Sequence, residues 1–233
     1  MAVVSKMIEA DDLSILGLSL EVALTATLAI LPIGIALAWL LAGWRGQGRV
    51  LVESILTLPL VLPPTAIGIV LLTLLSKHHA LGRVLSDVGI EIMFTWKAAV
   101  LASAVMSLPL LVRSARTAFE EIDPRLLGVA RTLGDGPLRV FRRVALPLAW
   151  RGIAAGVLLS FCRALGEFGA TILIAGNIPG RTQTLALAIF HRSQVGRDGD
   201  ALRLVALVCF VALAAVYATE RLGHRRGAAP SAT

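Results

Sequence analysis

The chain has 233 residues, 57% of them hydrophobic and a further 21 of them glycine, which brings the apolar share to about two thirds, against the ~45–50% of soluble domains. Only 16% are charged and 5% aromatic, and the mean hydropathy is +0.82, so there is too little polar surface to cover a water-soluble globule; a soluble enzyme, a disordered chain and a disulfide scaffold are excluded. The net charge of +7 would suggest nucleic acid if it formed one patch, but the basic residues fall between apolar runs, where they report topology and argue against a nucleic-acid partner.

Crossing a ~30 Å hydrocarbon layer takes about 17–25 residues, and five runs are long enough: Ser14–Ala42, Val50–Ser76, Thr95–Val112, Leu148–Ala175 and Ala201–Tyr217. They predict an all-α polytopic membrane protein of about five transmembrane helices, one domain over residues 1–222, with a disordered cytoplasmic tail from Gly223 to Thr233. The first run is too long for the apolar part of a signal peptide and follows Glu9, Asp11 and Asp12 rather than a basic segment. Its length allows tilt, or a break at Pro32-Ile33-Gly34. Thirteen Lys and Arg lie in Gly43–Arg49, Arg113–Arg151 and the tail after Tyr217, whereas the opposite side holds eight, diluted by acids. Positive residues stay inside, which puts the N-terminus outside and the C-terminus in the cytoplasm.

In the second run Pro59, Pro63 and Pro64 remove backbone donors and predict a kink; broken helices near the midplane often surround transported solutes. Thr57, Thr65 and Ser107 could donate hydrogen bonds to a passing solute. In the fourth run Arg163 and Glu167 stand one turn apart, each costly in hydrocarbon alone and able to pair. They serve either as a tie between helices or as lining of a path or gate, and Gly166 and Gly169 beside them permit unwinding. Gly152, Gly156, Ser160 and Ala164 form a small-residue stripe suited to helix packing. Cys162 and Cys209 lie in apolar runs and are expected to form neither disulfide nor metal site, and His78-His79 reads as a solvated loop pair.

The long inside connector, Glu120–Pro147, predicts two short amphipathic helices. Asp123-Pro124 is a start and Gly134 a stop, with Leu126, Leu127, Ala130 and Leu133 at helical spacing and Arg125 and Arg131 off that face. A second start at Gly136-Pro137 is expected to close at Leu146-Pro147. Gly128-Val129-Ala130, three residues, Gly134, nine residues and Val144-Ala145-Leu146-Pro147 resemble the cytoplasmic signature of bacterial ABC importer permeases, Glu-Ala-Ala-x3-Gly-x9-Ile-x-Leu-Pro. Gly128 and Val129 replace the usual Glu and Ala. Leu58–Thr65, Ala99–Arg113, Ala164–Thr171 and Asn177–Thr182 together look like the molybdate ABC permeases, relatives of the sulfate/thiosulfate permeases.

This resemblance implies a type I importer permease fold, with Asp123–Gly134 as the coupling helix that docks on an ATPase. It implies a homodimer of this subunit in the bacterial inner membrane, two ATPase copies carrying the ATP and Mg, and an external molybdate-binding protein. We expect the turn Asn177, Pro179, Gly180 and Arg181, and the amphipathic stretch to Arg192, to lie at the outer surface and to meet that protein. The three lysines, Lys6, Lys77 and Lys97, follow Ser5, Ser76 and Trp96, so none belongs to a Gly-Lys-Ser/Thr phosphate loop, and no catalytic set or cofactor is expected in this chain. A sulfate permease of the same family and a self-sufficient secondary transporter using Glu167 as a relay are the alternatives; the latter should show more intramembrane acids or an internal repeat.

Overall fold

A computed structural model of the chain describes residues 10–225; Lys6, Glu9 and residues 226–233 of the expected tail lie outside them. All regular structure among the described residues is helical. Helix α1 (Ala10–Gly43) runs unbroken through Pro32, so the break its sequence allowed is not there; at 1.5 Å per residue it is about 50 Å long, more than the hydrocarbon layer needs.

The second span is broken. Helices α2 (Gly48–Val61) and α3 (Pro64–Leu75) meet at 109°, a full turn-off where a kink was predicted. A residue that precedes proline is pushed out of the helical region, and here two in succession do so: Leu62 and Pro63 are extended, with ψ 147° and 135°. A short α4 (Ala80–Asp87) follows. Helix α5 (Trp96–Glu120) outlasts the predicted Thr95–Val112, because Arg113, Arg116 and Glu120 lower the hydropathy there while Val112, Ala115 and Phe119 keep a buried stripe at helical spacing.

Of the two connector helices, α6 (Pro124–Thr132) has the predicted bounds. The second, α7 (Pro137–Val140), does not close at Leu146-Pro147. A π turn over Phe141–Ala145 carries it into α8 (Leu146–Leu165), making one rod from Pro137 to Leu165. Pro147 offers no N–H to the carbonyl one turn back, and the wider turn, in which the Leu146 N–H donates to the Phe141 carbonyl, absorbs that loss. Past Leu165 the chain unwinds and restarts as α9 (Gly169–Ile174), so the expected fourth span is discontinuous as well. Helices α10 (Leu185–Gln194) and α11 (Asp198–Arg225) complete the fold. With the bent pair taken as one span, five segments among the described residues are long and apolar enough to cross a membrane.

Helices α1, α5 and α8 form the central bundle. Toward α6 they bury Ala38, Leu41, Val112, Phe119 and Ala149, with Trp39 stacked edge-on against Phe119 at 5.3 Å. Toward the opposite end Val22, Ala102, Met106, Ala170 and Ile174 close the core. The seam between α5 and α8 uses the small-residue stripe: a Cβ on Gly152 would strike the Ala118 side chain, so the helices approach closely enough for cross-helix hydrogen bonds. The Ser114 hydroxyl donates to the Gly152 carbonyl at 2.8 Å, Ser160 to Ser107 at 3.1 Å and Ser103 to Ala164 at 3.3 Å. Helix α2 buries no residue.

Candidate translocation path and coupling segment

The two broken spans meet each other. The N-terminus of α9 packs on that of α3, where a Cβ on Gly169 would lie 2.7 Å from the Pro64 Cβ and 3.3 Å from the Thr65 nitrogen. Only glycine allows this approach. Glu167 sits in the unwound stretch just before α9 with its side chain 1% exposed. One of its oxygens accepts from the Ala170 N–H at 2.8 Å, capping α9, and the other holds the Arg163 guanidinium at 2.6 Å. The Arg–Glu pair is therefore real, but its carboxylate lies beyond the end of α8 rather than on a continuous helix face.

The structure brings Pro63, Pro64, Thr65, Glu167 and Gly169 to the meeting point of the breaks, with Gly166 exposed beside Glu167 and Thr65 exposed at the start of α3. Pro59 lies within α2, over a turn before the break. Ser107 is placed elsewhere: it is fully buried in the α5–α8 seam, and its hydroxyl donates to the Ser103 carbonyl at 2.6 Å. The Thr57 hydroxyl is likewise committed, to the Glu53 carbonyl at 2.6 Å.

The connector helix α6 is held at both ends by local chemistry. The Asp123 carboxylate accepts from the Arg125 N–H at 2.8 Å. Gly134, at φ +88°, ends α6: its N–H donates to the Arg131 carbonyl and the Asp135 N–H to Ala130, the double closure that a left-handed residue makes possible. Ala130 is 8% exposed and faces the body of the protein, whereas Leu126, Val129 and Leu133 are exposed at 49%, 57% and 81%. The helix thus presents an apolar ridge outward and turns Ala130 inward. Arg125 and Arg131 are exposed, Gly128 has open space beside it, and Leu146 and Pro147 sit where the π turn enters α8.

A charged cluster at the α6 end was not anticipated. Glu53 of α2 pairs with Arg49 at 2.6 Å and with Arg116 of α5 at 2.5 Å, while Glu120 bonds Arg49 and lies 3.6 Å from Arg116. Both acid–base pairs stand at i,i+4 in their own helices, which is the signal the sequence offered.

At the opposite end, Pro179, Gly180 and Arg181 are exposed in a turn closed by Thr182, whose hydroxyl accepts from the Ile178 N–H at 3.0 Å and donates to the Gly176 carbonyl. Asn177 is half-buried. The amphipathic stretch does not lie on the surface as expected. It forms α10 and wedges against α1 and α11, with Leu185 and Leu187 fully buried, the Leu185 N–H donating to the Ser19 hydroxyl at 2.7 Å and Arg192 paired with Asp12 at 2.7 Å. Its apolar face finds protein in place of lipid headgroups.

Residues 30–219 match the family described as binding-protein-dependent transport system inner membrane component. The chain is 45% identical to the molybdenum transport system permease protein ModB of Escherichia coli K12 over 89% of its length and 91% of that protein's. Identity is 41% to ModB of Haemophilus influenzae, covering 92% and 94%, and 36% to the sulfate transport system permease protein CysT of Salmonella typhimurium, covering 83% and 70%. A crystal structure of a bacterial ABC transporter that imports alginate superposes with TM-score 0.75 at 18% identity, over 95% of this chain and 82% of that one; the methionine transporter MetNI gives 0.68 at 18%, over 91% and 92%. The helical architecture, with its broken spans and capped connector helix, is thus that of ABC transporter membrane subunits, and the chain belongs to the binding-protein-dependent inner membrane transport components.

Proposed function

We propose that this chain is the membrane-spanning permease subunit of an ATP-driven molybdate importer, which also takes tungstate, a tetrahedral dianion of nearly the same size. The observation that carries the reading is the 45% identity, over nearly the whole of both chains, to a molybdenum transport permease. Supporting it, α6 offers a pre-formed docking element, with the ridge Leu126, Val129 and Leu133 facing away from the protein.

Two ATPase copies bind and hydrolyse ATP with Mg, and each receives one coupling helix in a groove. An external binding protein delivers the anion at the turn Asn177–Arg181. The permease pairs with a second copy of itself: α2 has no fully buried residue and packs Val52 and Leu56 on the core, while exposing Val50, Leu51, Ile55 and Val61, apolar surface that a partner covers. The N-terminus faces outward and the C-terminus the cytoplasm, following the basic residues around α6. ATP binding moves α6 and reorients the spans by alternating access; each ligand shifts that equilibrium only through unequal affinity for the two states.

The test is ATP hydrolysis in proteoliposomes holding this chain with its co-purifying ATPase, with and without the external binding protein, across molybdate, tungstate and sulfate. Stimulation by loaded binding protein with molybdate or tungstate alone is expected. Sulfate stimulation would keep the transporter class and change the cargo, a reading that the CysT relative favours. Uptake by this chain with no ATPase present would overturn the class.

A further inference from the structure

Arg113 and Arg151 line one groove of about 700 Å³ between α5 and α8. Both are exposed, and neither side chain has an ion pair or hydrogen bond among the described residues. Their neighbours along the same helices are neutralised: Arg116 by Glu53 and Glu120, and Arg163 by Glu167. Arg113 and Arg151 both belong to the basic stretch that the positive-inside pattern places at the cytoplasmic side, where an unpaired guanidinium is free to take an external anion. Two unpaired ones lining a single cleft, which also holds the carboxylates of Glu121 and Asp123, offer donors to an external anion.

We propose that Arg113 and Arg151 form a binding site for a tetrahedral oxyanion. A guanidinium presents its N–H groups as a planar fork that engages two oxygens of such an anion at once, and two guanidiniums match a dianion's charge. The Ser114 and Thr117 hydroxyls also line the groove, but both donate to backbone carbonyls, of Gly152 and Arg113, so the arginines supply the donors. Glu121 and Asp123 line the cleft as well; Glu121 stands eight positions past Arg113, about 12 Å along the helix, on the side where Gly152 meets Ala118, so the carboxylates offset part of the charge beside Arg151. The oxyanion comes either from the transported cargo or from the phosphate of an anionic lipid, which the exposed Leu148 and Leu159 on the same wall would accommodate. Only the cargo assignment rests on the importer reading; the charge geometry does not.

Equilibrium binding of radiolabelled molybdate, sulfate and inorganic phosphate to the permease–ATPase complex in nanodiscs, without external binding protein, tests the site. In purely zwitterionic lipid, saturable oxyanion binding is expected to weaken roughly tenfold or more in R113Q/R151Q, to survive in R113K/R151K, which keeps the charge, and to be unchanged in R83Q, remote on α4. In a second arm, phosphatidylglycerol retained by the complex is counted by mass spectrometry. Retention lost in R113Q/R151Q, with no free-oxyanion binding, assigns the site to lipid phosphate. If neither free oxyanion nor phosphatidylglycerol distinguishes R113Q/R151Q from the parent, the site does not exist. Oxyanion binding that persists in a complex unable to transport any oxyanion would sink the importer reading and leave the site standing.

Discussion

The carboxylate of Glu120, the last residue of α5, is bonded to the guanidinium of Arg49, the second residue of α2, across 71 positions of sequence. Glu53 and Arg116 complete the cluster. Helix α5 leads within four residues to α6, and α2 is the first half of the broken second span. The end of α5 that leads into α6 is thus tied to the first half of the broken second span by charge contacts. Glu120→Arg is expected to lower binding-protein-stimulated transport severalfold, and the exchange Arg49→Glu with Glu120→Arg to recover only part of it, because it sets like charges beside Glu53 and Arg116. The ratio of ions moved to ATP hydrolysed is the measurement.

Glu167 is buried with two partners, the Arg163 guanidinium and the Ala170 N–H. Removing Glu167 leaves the Arg163 guanidinium, 27% exposed, without its partner, which costs less than the ~3–5 kcal/mol of a fully buried pair. Glu167→Ala should therefore unfold at lower temperature in detergent than Arg163→Ala with Glu167→Ala, which leaves no lone charge. Glu167→Gln, which retains an acceptor for Ala170, should be milder than Glu167→Ala.

The α5–α8 seam is close because Gly152 has no side chain. Gly152→Val forces Ala118 away, an overpacking that costs about 1–3 kcal/mol. Ser114→Ala removes the hydroxyl that bonds the Gly152 carbonyl, worth about 1 kcal/mol. Thermal unfolding should rank the two in that order.

In α6, the proposed coupling helix, exposure separates two kinds of variant. Gly134 adopts a left-handed conformation with open space around it, so Gly134→Ala should cost about 1–2 kcal/mol of backbone strain. Gly134→Glu and Val129→Glu are expected to abolish stimulated ATP hydrolysis while leaving membrane insertion intact; full transport by either would remove this surface from the coupling interface. Ala130→Glu should instead destabilise the permease itself, because Ala130 is buried against its own chain.

Hydropathy and turn chemistry are local properties, and what they control was readable from the residues alone. The apolar runs, a bend at Pro59, Pro63 and Pro64, though not its full 109°, the Asp123 start and Gly134 stop of α6, and the Arg163–Glu167 pair all follow from neighbours within a turn or two. What needed the tertiary structure depends on contacts between distant positions. Ser107 and Thr57 carry the same hydroxyls whether or not a backbone carbonyl has claimed them, and only the packed helices show that it has. Ala130 and Val129 are adjacent apolar residues until the body of the protein covers one of them. Arg49 and Glu120, like Gly169 and Pro64, lie far apart in the chain; pairing them takes the bundle, since long-range register is set by which helices meet and a local pattern does not encode it.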